Sequence, residues 1–308
     1  VNPPGHVNPP GHVNPPGHVN PPGHVNPPGH VNPPGQRQRM ASSRSKLTRL
    51  PARLRQIADF VLPGQPVADV GSHHGLVPVW LVLQARVPSA IAMDLSEEAV
   101  TGTRALVDRT PGLGGRVQVR QSDGMAALSP SDGVGTLVVS GLGGGTIGSI
   151  LQAAAPGALA SLGRGVFQPN VGAPALRATL CALGWVIADE EVTLCGGRFY
   201  QVIAAQPLAV AAAPPPPLDE ADLLFGPVLR RRRPAAWLEM LRGQEAKWAR
   251  VAERVARASA EPQPQPQPQP QLHLTSSHAR RAADVAGMLA RIRMEIVGGD
   301  QMVVEDTV

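Results

Sequence analysis

The chain has 308 residues, 43% of them hydrophobic and 17% charged, and a formal net charge of +5. It can bury a core and is long enough for one large domain with an appendage, so wholesale disorder is excluded. Two cysteines, Cys181 and Cys195, with no CxxC spacing and no Cys/His cluster, argue against a disulfide scaffold and a structural zinc site, and no metal is expected.

The first 36 residues are six copies of a hexapeptide, five of Val-Asn-Pro-Pro-Gly-His and a last one ending in Gln36. Such a run has no apolar face to pack, so residues 1–39 read as a disordered low-complexity segment. Its Asn-Pro-Pro superficially resembles a loop of amino-group methyltransferases, but no strand precedes it and no aromatic residue ends it, and that reading is rejected. The first methionine is Met40, just before patterned sequence starts, and the working protein is expected to begin near it. No charged stretch followed by an apolar run opens the chain, which points to a cytoplasmic soluble protein.

Charge is unevenly spread. Residues 37–60 carry seven basic side chains against Asp59 alone, 61–217 carry eight against ten acids, and 226–257 carry nine against three. A near-neutral body flanked by two basic arms suits a polyanion touching its edges, with nucleic acid the first candidate. The competing explanation is a chain-wide preference for arginine, 26 against two lysines.

Leu47, Leu50, Leu54, Ile57, Ala58 and Val61 follow helical spacing, with Pro51 in the first turn. Strands are then expected at Val67–Gly71, Ala90–Met93, Val117–Val119, Thr136–Val139 and Gly165–Phe167, alternating with helices to about Ala85, from Leu95 to Leu106 with Ser96 as cap, and after Gln168-Pro169-Asn170 to Leu183. Thr136 to Gly163 is uncharged, but seven glycines and Pro156 interrupt any spanning helix. Trp185–Leu194 and Arg198–Ala204 flank Cys195-Gly196-Gly197 and read as a hairpin. This is an α/β pattern: a doubly wound, mostly parallel sheet over about residues 40–210, closed by an antiparallel pair, with ligands at the carboxyl ends of its parallel strands. Beyond Pro214–Pro217, Trp237, Leu241, Trp248, Val251 and Val255, and then Val285, Met288, Leu289, Ile292 and Ile296, predict two amphipathic helices within 218–298. A Gln/Pro-rich tip at 261–271 joins them into an antiparallel hairpin, with 299–308 as a tail.

The loop Asp69-Val70-Gly71-Ser72-His73-His74-Gly75 ends the first strand, and Gly71 and Gly75 let backbone approach a ligand. Asp94, with Leu95 after it, ends the second strand, where a carboxylate can bind both hydroxyls of a ribose. Asp123-Gly124 follows the third strand and could accept from an adenine amino group or simply cap the next helix. Three acids at three adjacent strand ends fit an adenosine-bearing ligand. The lack of a full GxGxxG and of GxxxxGK[ST], together with the antiparallel pair, favours S-adenosylmethionine over a dinucleotide or ATP.

Leu50-Pro51-Ala52-Arg53-Leu54, Ala68 through Pro78, Ser140-Gly141-Leu142-Gly143-Gly144, Gln168-Pro169-Asn170 and Phe225-Gly226-Pro227 resemble, in order and spacing, the successive motifs of the bacterial tRNA (adenine-22 N1)-methyltransferases. The likeness runs from about residue 47 to 255. It implies a class I, Rossmann-like methyltransferase domain with a helical appendage, S-adenosylmethionine as cofactor and a tRNA adenine as substrate. The family reads Asp where this chain has His73. A carboxylate there could stabilise the cation formed at N1, whereas neutral imidazole could only accept a hydrogen bond or stand aside.

On this reading His73, His74 and Asn170 are the candidate catalytic residues. Asp69, Gly71, Ser72, Gly75, Asp94, Leu95, Asp123, Gly124, Ser140 and Gly141 would hold cofactor. Arg53, Gly143, Gly144 and Gln168 would meet the base, and Arg230, Arg231, Arg232 and Arg233 the RNA phosphates. The small residues of 140–145 leave room for an incoming ring. Transfer by direct displacement asks the protein to hold the acceptor nitrogen about 3 Å from the methyl carbon. Two rivals stay open: action on a small molecule or protein, and an RNA-binding relative that lost catalysis with the change at His73.

Overall fold

The carboxyl ends of five parallel strands form one rim of the molecule. They are β1 (Val67–Val70), β2 (Ala90–Asp94), β3 (Val117–Gln121), β4 (Thr136–Gly143) and β5 (Arg164–Val171), and a hairpin of β6 (Trp185–Cys195) and β7 (Arg198–Pro207) completes the sheet in the order β3-β2-β1-β4-β5-β7-β6. β7 runs antiparallel to both β5 and β6. The computed structural model describes residues 49–155, 157–159, 161–211, 216–260 and 274–298. The hexapeptide repeat, the expected start near Met40, the tip at 261–271 and the tail lie outside the described residues. No helix among the described residues is long and apolar enough to cross a membrane.

Both faces of the sheet are apolar, as a parallel sheet between helices requires. Ala68, Val70, Leu137 and Val139 pack on Ile147 and Leu151 of α4 (Gly144–Gln152) and on Leu176 and Leu180 of α5 (Ala173–Ala182). Their neighbours Val67 and Val138 face the other way, against Ile57 of α1 (Ala52–Asp59), Val79 and Trp80 of α2 (Leu76–Leu83) and Leu106 of α3 (Glu97–Asp108). Ser96 caps α3 by accepting from Ala99 N–H. Two local expectations shift. Pro51 stands as the N-cap of α1 in an extended conformation rather than inside its first turn. The fifth strand, expected at Gly165–Phe167, runs on through Gln168-Pro169-Asn170 to Val171, because the irregularity that a proline forces is absorbed by register shifts in the pairing with β4.

After the sheet come α6 (Glu220–Phe225), α7 (Pro227–Arg232), α8 (Ala235–Ala260) and α9 (Leu274–Val297). Arg233, just before α8, donates to the carbonyls of Glu295 and Ile296 near the end of α9, so the two long helices run antiparallel. Trp237, Leu241 and Ile292 are fully buried between them, with Phe225 and Leu229. The expected periodicity is therefore this appendage's own core.

One ion pair fastens the appendage to the sheet. Arg177 of α5 and Glu190 of β6, both 0% exposed, meet at 2.7 Å. The rest of the guanidinium donates to the carbonyls of Leu223 and Leu224 and to Gln201 Oε1, and Glu190 Oε2 accepts from Val228 N–H. Gly226 passes directly over the pair at φ 95°, where a Cβ would stand 2.7 Å from Glu190 Oε2 and 2.8 Å from Arg177 Nη2. This accounts for Phe225-Gly226-Pro227: Phe225 enters the appendage core, glycine clears the charges, and proline starts α7. Arg177→Met strands a buried carboxylate and is expected to cost about 3–5 kcal/mol in urea unfolding. A loss below about 1 kcal/mol would mean that the pair is far better hydrated than its burial implies.

Candidate active site

A cavity of about 610 Å³ opens at the strand rim where the order reverses between β1 and β4. Arg53, Asp69, Gly71, Ser72, His73, His74, Asp94, Leu95, Asp123, Gly124, Ser140 and Gly141 line it. Ser122, Leu142, Thr146 and Ile150 also line it and were not anticipated, since nothing in their local pattern distinguishes them from core or loop residues.

The first loop is held by its backbone. Gly71, His73 and Gly75 all have positive φ, at 71°, 53° and 65°. His73 N–H donates to Asp94 Oδ2 at 2.9 Å, and Ser96 N–H donates to Asp94 Oδ1 at 3.0 Å. Both oxygens of Asp94 are thus aimed from behind, with lone pairs left for a diol. Thr103, buried on α3, donates to the His73 carbonyl at 2.8 Å and locks the turn. Its methyl occupies the space a side chain at Gly75 would need, 2.5 Å from that Cβ, so Gly75 serves the turn and does not line the cavity. The His73 and His74 rings are exposed, with centroids 3.9 Å apart. Histidine, aspartate and asparagine are the side chains that best tolerate left-handed backbone. His73 therefore takes the backbone conformation that presents its N–H to Asp94.

Asp69 is 3% exposed. Its Oδ2 accepts from Ser72 Oγ at 2.7 Å, while Oδ1 is buried with no partner among the described residues. Burial pushes its carboxyl up to about 7; the Ser72 hydrogen bond opposes this, and the negative Asp94 adds to it. An orphaned carboxylate oxygen behind the cavity wall and a second carboxylate with both oxygens fixed suit a ligand that carries an ammonium group and a vicinal diol. S-adenosylmethionine has both.

Other expected residues stand outside the cavity lining. Asn170, expected among the catalytic residues, spends its amide on the Gly141 carbonyl, and Gln168 is buried behind it, bonded to Arg53 and Asn170. Gly144 is buried against the turn after β5, where a Cβ would stand 2.1 Å from the Gly172 carbonyl oxygen. Its small size serves that backbone approach and leaves no room for a ring. Gly143, the N-cap of α4, is likewise off the lining. The arginine run departs most from expectation. Arg230 pairs with Asp219, Asp222 and Glu295, Arg232 with Asp189, and Arg233 caps α9 while its guanidinium lies 5.6 Å from the Trp237 ring centre. Folding brings acids to Arg230 and Arg232 from distant sequence and backbone carbonyls to Arg233; Arg231 is exposed.

A family model described as a methyltransferase domain matches residues 50–203. The tRNA (adenine(22)-N(1))-methyltransferase of Bacillus subtilis is 26% identical over 211 residues, 68% of this chain and 87% of its own. Streptococcus pneumoniae Sp1610, solved in complex with S-adenosyl-L-methionine, is 27% identical with a TM-score of 0.64, covering 80% of this chain and 100% of that one. The solved Bacillus subtilis m1A22 tRNA methyltransferase TrmK, at 24% identity and a TM-score of 0.67 over 80% of this chain and 99% of its own, shares the fold.

The Asp69 carboxyl makes stability pH-dependent. In the folded protein it holds its proton up to about 7, against 3.8 ordinarily. Its contribution is therefore fully present below pH 3.8 and is lost as pH rises through 7. At about 1.4 kcal/mol per pH unit the loss is on the order of 4–5 kcal/mol. Compared with Asp69→Asn, the wild type should lose melting temperature steadily between about pH 4 and 7 and run parallel above that. Curves parallel throughout would place the Asp69 titration elsewhere.

Proposed function

The chain belongs to the methyltransferase-domain family, and we propose that it transfers a methyl group from S-adenosylmethionine to N1 of a tRNA adenine, with position 22 the first candidate. The observation that carries this is the trio of acids at the ends of adjacent strands β1, β2 and β3, with Asp94 fixed by two backbone donors. The similarity to the Bacillus subtilis tRNA (adenine(22)-N(1))-methyltransferase supports the choice of substrate. On this reading the protein works in the cytoplasm, beside its tRNA.

When bound, S-adenosylmethionine supplies a methyl group activated on a sulfonium. The protein's part is to bind, orient and exclude water. Asp94 accepts from the two ribose hydroxyls, Asp123 and Gly124 border the adenine, and the Asp69 carboxyl in the wall supplies negative charge for the ammonium. Gly71, Ser72 and Leu95 shape the wall, and Ser140 and Gly141 face the acceptor side. Because N1 lies on the Watson–Crick edge, the target base must be unpaired or flipped to enter. His73 and His74 are free to contact it at the mouth.

RNA would be held on the appendage by a different basic set. Lys247, Arg250, Arg254 and Arg257 share one face of α8, all exposed, around a groove of about 420 Å³. Their spacing of three and four residues makes a phosphate-reading stripe, to which Arg231 can add.

Mass mapping of tRNA incubated with the protein and labelled cofactor tests the whole reading. A methyl group on N1 of one adenine is expected; methylation only of protein or small molecules, or binding without turnover, overturns it. Asp94→Ala should weaken S-adenosylmethionine binding by about 1.5–3 kcal/mol in calorimetric titration, and unchanged affinity would remove Asp94 from the cofactor site. Reversing the charge of Arg250, Arg254 and Arg257 should lower the logarithmic salt slope of tRNA binding by roughly 0.9 for every phosphate that is no longer neutralised, and should leave cofactor affinity alone. The same slope in both proteins would move the RNA elsewhere.

A further inference from the structure

Strand β5 carries a proline beside the point where β4 leaves regular pairing. The two strands pair up to Ser140 and Gln168 and then slip, so that Leu142 stands opposite Pro169 and Gly141 is left out of the register. Pro169 has no N–H to give. The Gly141 carbonyl takes a side-chain donor instead, the amide nitrogen of Asn170. Asn170 Oδ1 accepts from Gln168 Nε2 at 3.2 Å, and Gln168 Oε1 accepts from Arg53 Nη1 at 3.2 Å. Three hydrogen bonds in series thus cross from helix α1 through β5 to β4.

The direction of this relay is dictated from both ends. A guanidinium only donates and a backbone carbonyl only accepts, so the amide oxygen of Gln168 must face Arg53 and the amide nitrogen of Asn170 must face Gly141. Gln168 is 0% exposed, so water is not available to either end of its amide. Arg53 lines the cavity and is steadied by Tyr200, whose ring centre lies 5.2 Å from its guanidinium carbon. Gly141, at φ 79°, lines the same cavity.

We infer that Arg53 is a positioning residue for the methyl acceptor. Acting through Gln168 and Asn170, it holds the Gly141 carbonyl in the one arrangement that leaves a lone pair for the amino group of an adenine edge. This rests on the reading that an adenine enters the cavity. Adenine presents N1 beside an amino donor; a fixed carbonyl accepts from that donor and repels the keto oxygen of a guanine. Arg53 does not meet the reacting atoms.

Two near-isosteric variants test the relay. In Gln168→Glu the group facing Asn170 becomes a pure acceptor, so the Asn170 amide turns its oxygen towards the Gly141 carbonyl; in Asn170→Asp an oxygen faces that carbonyl directly. Each should stay folded, keep the wild-type S-adenosylmethionine affinity and lower the saturated single-turnover rate on a tRNA transcript at least tenfold. Each should also narrow the preference for adenosine over purine riboside at the target position. The double variant should be no slower than the slower single one, because the links act as a unit. Hydrogen exchange of the 140–145 amides, read without RNA or cofactor, should speed up in both. Arg53→Lys, which keeps a donor-only group, should recover most of the rate that Arg53→Met loses. Unchanged rate and exchange in either variant, or rate losses matched by equal losses of melting temperature and cofactor affinity, overturn the relay. A wild type that methylates no adenine refutes the proposed function instead, and the exchange result still decides whether the relay holds the loop.

Discussion

The Arg177–Glu190 pair lies where α5, β6 and the chain leaving the sheet converge, and both charges are out of water. Either alone would cost several kcal/mol. The arrangement is tolerable because the other donors and acceptors are engaged, several of them by backbone of the first appendage helices: the carbonyls of Leu223 and Leu224 and the N–H of Val228. The appendage therefore cannot lift from the sheet without leaving a charge unsatisfied. Arg230 repeats the device nearer solvent, drawing Asp219, the N-cap of α6, and Asp222 within α6 towards Glu295 of α9. Between them these arginines turn two long helices, which share little core with the sheet, into a fixed arm.

At the other end of the parallel strands, backbone does most of the positioning. Asp94 is aimed by two N–H groups, and the first of these depends on a left-handed residue whose carbonyl Thr103 holds. The cavity is acidic on the side of β1, β2 and β3 and basic only at Arg53. That polarity separates a cation-binding half from an acceptor half, and Asp69, with a carboxyl balanced near neutrality, gains most from a positive ligand.

Much of the fold was legible in sequence because it rests on periodicity. Alternation marked the strands, Ser96 with Glu97 and Glu98 marked the start of α3, and Gly196-Gly197 marked the hairpin turn, where both glycines take positive φ. Steps of three and four marked the helices of the arm. What stayed hidden depends on partners far apart in the chain. Glu295 lies 65 residues from Arg230, so the run of four arginines expected at phosphates gave no sign that Arg230, Arg232 and Arg233 also bond within the protein. Gly144 read as space for a ligand, and only the approach of Gly172 reveals it as space for backbone. The expected fifth strand stopped at Phe167, short of Gln168-Pro169-Asn170, since a proline inside a strand makes sense only once the bulge opposite it is known.

His73 separates what a position contributes through its main chain from what it contributes through its side chain. Its N–H holds Asp94 and its carbonyl is held by Thr103, while the imidazole is exposed beside the cavity. A substitution at this site meets a conformational demand before a chemical one, since Asp, Asn, Gly and His adopt its left-handed backbone most readily. The position is consequently a socket: a probe with a proton that titrates near neutrality, or a group that reports the arrival of a base, can be installed there while the scaffold around the cavity stays as it is.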